Sequence, residues 1–182
     1  MAQEKWNIDP VHSHIEFSVR HLMISKVKGH FNQWRGALTV DESNPADSKV
    51  DVTIEAASID TKEPQRDDHL RSGDFLDAAK YPTLTFASTK VEKLSEEEYK
   101  VTGNLTIRGV TRPVVLATEF LGKGKDPWGG ERIGFTAKTS VDRNKDFGLT
   151  FNIPLEGGGV VVGDKIEITL EVEAIKEKVA AA

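Results

Sequence analysis

Apolar residues recur at every second position through almost the whole chain, and this period of two limits the fold more than any other feature. Ile15, Phe17 and Val19 alternate with Glu16, Ser18 and Arg20. Val50, Val52 and Ile54 alternate with Asp51, Thr53 and Glu55, and Leu84 and Phe86 with Thr83, Thr85 and Ala87. Tyr99, Val101, Gly103, Leu105 and Ile107 hold one parity through a long run, as do Ile133, Phe135, Ala137, Thr139 and Val141. Ile166, Ile168, Leu170 and Val172 repeat the pattern near the end. The alternation predicts eight main strands, roughly 13–21, 26–40, 49–58, 82–94, 98–108, 112–121, 131–143 and 163–175. A bulge is expected near Arg35-Gly36, because the apolar parity slips between Phe31 and Leu38.

Only residues 64–79 (PQRDDHLRSGDFLDAA) break the period. Pro64 suits a first helical position, and Asp67 and Asp68 place negative charge in the first turns. The segment reads as a short helix, a break at Ser72-Gly73 and a further turn, ended by Tyr81-Pro82. Residues 144–163 read as a long connection without a period, with Gly157-Gly158-Gly159 as a flexible turn. No repeat, linker or second domain interrupts 1–182, so a single domain is expected.

Strands of alternating polarity joined by hairpins close most naturally into an antiparallel barrel, which leaves no exposed sheet edge. A two-sheet sandwich gives the same alternation. The length of the strands and their unbroken parity favour the barrel. About eight strands enclose an interior that side chains just fill, or that holds one small ligand. The chain has no cysteine, which excludes disulfides, thiolate metal sites and cysteine nucleophiles. Its 24 Lys+Arg against 29 Asp+Glu form no basic run, so no nucleic-acid partner is expected. No stretch reaches about 18 apolar residues, so no membrane span is expected. Met-Ala-Gln-Glu-Lys-Trp lacks an apolar signal region, so a cytoplasmic location is the expectation.

Parity also selects candidate site residues. His21 follows Val19 on the inward face, and Arg143 follows Val141. Alone, His21 reads as a core histidine and Arg143 as a strand end turning into solvent. Alternating strand direction, however, brings both to one rim, together with the helix carrying Asp67, Asp68 and His69 and the long 144–163 connection. The other rim has only short turns. One elaborated polar mouth over an apolar interior suits a tailed ligand, with its head at the rim. His12-x-His14 has a spacing that metals use, but its parity is outward and no third ligand is evident. No metal and no cofactor is therefore expected. No nucleophile elbow or Ser/His/Asp arrangement is present.

The chain resembles the YceI-like family, whose members are described as polyisoprenoid-binding proteins. The matching runs are Asp9-Pro10-Val11-His12-Ser13-His14-Ile15-Glu16-Phe17, Val19-Arg20-His21, Gly29-x-Phe31 and Asp67-Asp68-His69-Leu70-Arg71-Ser72-Gly73-Asp74-Phe75. They continue with Tyr81-Pro82-Thr83-Leu84-Thr85-Phe86, Gly103-x-Leu105-Thr106-Ile107-Arg108-Gly109-Val110-Thr111, Arg143-x-x-Asp146-Phe147-Gly148 and Val162-Gly163-Asp164. The resemblance implies an all-β, extended eight-stranded antiparallel barrel, lipocalin-like in shape, with a short helical segment between strands three and four. It implies a hydrophobic tunnel for an isoprenoid, quinone or fatty-acyl lipid. Many members are periplasmic and carry signal peptides, and this sequence departs from them there.

The expected head-group residues are His21, Arg143, Asp67, His69 and Asp146. The expected tail tunnel is Ile15, Phe17, Val19, Val52, Ile54, Phe75, Leu84, Phe86, Leu105, Ile107, Phe135, Phe147, Phe151 and Ile168. The sequence favours a lipid binder over two alternatives. One is an acid–base enzyme using His21, which needs a carboxylate within reach of that ring. The other is an interaction protein with a filled barrel. The sequence also leaves a homodimer open.

Overall fold

The computed structural model describes residues 3–156 and 159–178. Among these residues the period of two becomes eleven strands: β1 (Glu4–Ile8), β2 (His14–His21), β3 (Ser25–Phe31), β4 (Trp34–Val40), β5 (Lys49–Glu55), β6 (Ile59–Asp60), β7 (Thr83–Lys93), β8 (Glu98–Ile107), β9 (Val110–Lys125), β10 (Glu131–Asp142) and β11 (Val162–Lys176). Six of these are halves of three interrupted strands. β1 and β2 follow one another along β11, β3 and β4 pair with β2 and β1, and β5 and β6 pair with β4 and β3. With β7 to β11 they form eight staves of a closed antiparallel meander. β9 has 16 residues, so at about 3.3 Å per residue it runs roughly 50 Å. The barrel is thus an elongated one.

The sequence reading differs from the structure in its breaks. β1 was not expected, because only Trp6 and Ile8 carry the alternation before Asp9-Pro10 turns the chain. The irregularity expected at Arg35-Gly36 lies at Asn32-Gln33, where Asn32 N–H leaves the ladder and donates to Ser58 O. There the inward set passes from odd to even residues, which is the parity slip itself. The third expected strand ends at Glu55, followed by a 3-10 turn at Ala56–Ser58. Two glycines of the expected flexible turn, Gly157 and Gly158, lie outside the described residues.

Helix α1 spans Pro64–Arg71. Glu63 caps it, its carboxylate accepting from Gln65 N–H at 3.3 Å and Arg66 N–H at 2.7 Å. It ends at Ser72, near the expected break, and turns carry the chain to β7. The helix, the β2–β3 turn, the Arg108-Gly109 turn and the described parts of the 143–161 connection share the helical end of the barrel. Loops 41–48, 94–97 and 126–130 form the opposite end.

The β9–β10 hairpin is locked by charge. Asp126 accepts from Trp128 N–H at 2.9 Å, Gly130 N–H at 2.8 Å and Arg132 Nε at 2.9 Å. Arg132 also reaches Asp9 at 3.0 Å and Glu173 at 2.7 Å, joining the hairpin to β11 and to the β1–β2 turn. Hydrogen bonds from Gly130 and Arg132 hold the Asp126 carboxyl below its usual pKa, and the contact with His12 does the same for Asp9. A carboxyl with a lowered folded pKa stabilises fully above its unfolded value and loses that contribution as pH falls through the folded one. Melting temperature is therefore expected to drop steeply below about pH 4, the ordinary aspartate value. Asp126→Asn should flatten that part of the profile, and a profile identical to wild type would refute the link.

Candidate functional site

The inward faces of the staves do not meet. They enclose a cavity of about 670 Å³, within the roughly 300–1,000 Å³ of small-molecule sites. Aromatic placement keeps the lumen hollow. Phe17 on β2 lies over Gly29 directly across on β3, and the Phe86 ring covers Gly103 on β8. A side chain at either glycine would collide with the ring, so the bare backbone lets both rings lie along the wall.

Ile15, Phe17, Val19, Val52, Ile54, Phe75, Leu84, Phe86, Leu105, Ile107, Phe135 and Ile168 all line the cavity. The runs Ile133–Arg143 and Ile166–Val172 contribute at every second residue, as their parity requires. Two expected members do not line it. Phe147 is packed into the core beside the helical end, and Phe151 makes edge-to-face contacts with His69 and Phe75, with ring centroids 4.8 and 5.2 Å away.

The expected head-group residues gather at one end, but the polar atoms of Arg143, Asp67, His69 and Asp146 are already used. Arg143 lines the cavity and is 2 % exposed. Its Nε donates to Gly163 O at 2.8 Å, and its terminal nitrogens to Leu149 O at 2.7 Å, Phe151 O at 2.9 Å and Val162 O at 3.2 Å. Asp164 is 3.6 Å away, and burial pulls the guanidinium pKa below its usual value. Arg143 is therefore the strut that ties the 144–161 connection to β10 and β11. Asp67 accepts from Thr61 N–H and Oγ1, away from the cavity. His69 pairs with Asp74 at 2.8 Å, and Asp146 accepts from Asp142 N–H at 2.9 Å. His21 is half-exposed and does not line the cavity. Among the described residues no carboxylate lies within 4.0 Å of its ring, so the partner an acid–base role requires is missing.

The helical end is instead closed by Leu70, Phe75, Leu76 and Leu149. The charged wall lies at the other end, where only short turns were noted. There Glu42, Lys49, Lys93, Glu96 and Lys123 line the cavity and are exposed, so it opens between them. Glu42 and Lys123 pair at 2.8 Å across this mouth, and the contact raises the lysine pKa. Asp41, also in the wall, accepts from Ser43 N–H, Ser43 Oγ and Asn44 N–H and shapes the 41–48 loop. Glu42 and Glu96 were missed because they sit in turns, where parity carries no direction, and Lys49, Lys93 and Lys123 because they sit at or near strand ends, beyond the apolar runs that mark the inward face.

His12 and His14 do not converge. His12 lies with Asp9 and Glu173, ligand atoms within 4.8 Å of one another, but Arg132 donates to both carboxylates and supplies the cation there.

Barrel, hollow apolar lumen and capping helix define an antiparallel, lipocalin-like β-barrel with an internal cavity. The chain belongs to the YceI-like family: residues 6–174 match the YceI-like domain. A UPF0312 protein of Pectobacterium carotovorum is 42% identical over 177 residues, covering 97% of this chain and 88% of that one. The Campylobacter jejuni YCEI protein superposes with a TM-score of 0.74 at 39% identity, covering 88% of this chain and 90% of that one. A polyisoprenoid binding domain from Saccharophagus degradans shares the fold, with a TM-score of 0.68 at 13% identity over 94% of this chain and 98% of that one.

Proposed function

We propose that this protein binds a long-chain apolar lipid, of polyisoprenoid, isoprenoid-quinone or fatty-acyl type, inside the barrel and stores or transports it. The observation that carries this reading is the continuous apolar cavity, walled by every inward-facing stave. Burial of each CH₂ is worth about 0.8 kcal/mol, so a dozen carbons supply on the order of 10 kcal/mol before the costs of association. No catalytic group is needed to hold such a chain. The polyisoprenoid binding described for the Saccharophagus degradans domain supports the same reading. A filled barrel does not fit a lumen of this size.

The head group belongs at the charged mouth, near Lys49, Lys93 and Lys123, while Phe75 and Leu76 close the tail end. Among the described residues Lys49 has no carboxylate within 4.0 Å, which leaves it available to a phosphate or carboxylate head. Native mass spectrometry of the purified protein, before and after organic extraction, tests the proposal. One lipid per barrel, removed by extraction and restored by saturable titration, is expected. A protein that carries no lipid and takes up none would overturn it.

A further inference from the structure

The hairpin between β2 and β3 breaks two rules at once. Its turn is closed by Ile24 N–H donating to His21 O at 3.2 Å, and both central residues are left-handed, Leu22 at φ 53° and Met23 at φ 61°. Such a turn is the preserve of Asn, Asp and Gly, and bulky side chains are strained there. The strained residues are also apolar and displayed to solvent. Met23 is 47% and Ile24 85% exposed, with Ile153 on the adjoining connection at 52%. Leu22 N–H donates to Val161 O, and Val161 N–H to Ile153 O, so the connection carrying Ile153 runs beside the turn.

The flanking strands supply the charge. No Asp or Glu occurs between Glu16 and Asp41, although acidic residues outnumber basic ones in the chain as a whole. Arg20, Lys26 and Lys28 are exposed beside the turn. Lys26 pairs with Glu167 at 3.3 Å, while among the described residues Arg20 and Lys28 have no carboxylate within 4.0 Å. An apolar tip collared by cations matches a bilayer whose surface is anionic: the tip enters the acyl boundary and the collar meets the head groups.

We propose that the β2–β3 hairpin docks this protein onto an anionic lipid bilayer through Leu22, Met23 and Ile24, with Arg20 and Lys28 as the electrostatic collar. Docking this way sets the helical end of the barrel, with its apolar closure of Phe75 and Leu76, against the membrane. The reading is independent of what the cavity holds.

Co-sedimentation with phosphatidylcholine vesicles, with and without phosphatidylglycerol, tests it. The wild type is expected to sediment with phosphatidylglycerol vesicles and to be released by salt. Leu22→Asn combined with Met23→Gly should raise the melting temperature, because the turn strain is gone, yet weaken vesicle binding roughly tenfold or more. Arg20→Gln with Lys28→Gln should remove the preference for phosphatidylglycerol and leave the fold intact. No vesicle binding by the wild type, or equal binding by the Leu22→Asn/Met23→Gly variant, would overturn the proposal. So would a wild-type dimer in sedimentation velocity that this variant abolishes, since the patch would then be a self-association surface. Vesicle binding needs no ligand in the cavity, so its failure leaves cavity binding standing, and the reverse.

Discussion

Arg143→Ala is expected to lower the unfolding free energy by about 3–5 kcal/mol and to weaken charged and uncharged lipids alike. The guanidinium donates four hydrogen bonds to the carbonyls of Leu149, Phe151, Val162 and Gly163. A hydrogen bond to a charged group contributes roughly 1.5–3 kcal/mol, and a buried acceptor left unpaired costs a further 1–3 kcal/mol. Taken bond by bond these exceed the expected loss, but water entering the vacated space recovers much of it, which leaves the roughly 3–5 kcal/mol typical of removing one partner from a buried charged arrangement. The loss should propagate to the cavity, because Leu149 and Val162 form part of its wall and are held by the same strut. Arg143→Lys should recover only a fraction, since one ammonium cannot reach four carbonyls spread around a planar fork. Urea unfolding together with titration of a fatty acid and its methyl ester makes the measurement. A stable Arg143→Ala protein that loses affinity for the acid alone would return Arg143 to a head-group role.

Ala137→Phe is expected to abolish about 99% of lipid affinity while leaving stability within about 1 kcal/mol of wild type. Ala137 lies in the cavity wall on β10, between Leu170 on β11 and Thr118 on β9, which also line it. A phenyl ring there displaces three or four methylenes of a bound chain, worth roughly 3 kcal/mol or about 100-fold in affinity. Over-packing a filled core costs about 1–3 kcal/mol, whereas a ring placed in empty space finds room. Thermal unfolding and lipid titration of one variant therefore separate a container from a solid barrel. Destabilisation of several kcal/mol with lipid affinity unchanged would refute the container reading.

Parity was enough to determine the wall. Along Ile133–Arg143 and Ile166–Val172 each second residue faces the lumen, because a strand has no other way to orient successive side chains. The helical segment was legible from Pro64 and the loss of alternation, and the family from motifs spread along the chain. The sequence even placed Arg143 on the inward face, which is correct, but it could not say what the guanidinium meets there. Its partners are carbonyls of residues 149, 151, 162 and 163, brought to it only when the connection folds back over the barrel end. A backbone oxygen leaves no trace in the identity of its residue, so a saturated arginine and a free one look the same in sequence. The charged mouth escaped for a related reason. Glu42 and Lys123 are 81 positions apart and meet at 2.8 Å because closure of the meander sets loop 41–48 beside the end of β9. Local alternation thus determines which side chains face inward, while the closure of the sheet decides which ends are plugged and which are open. Loop-to-strand contacts depend on strand number and register around the whole ring, and no single segment encodes either.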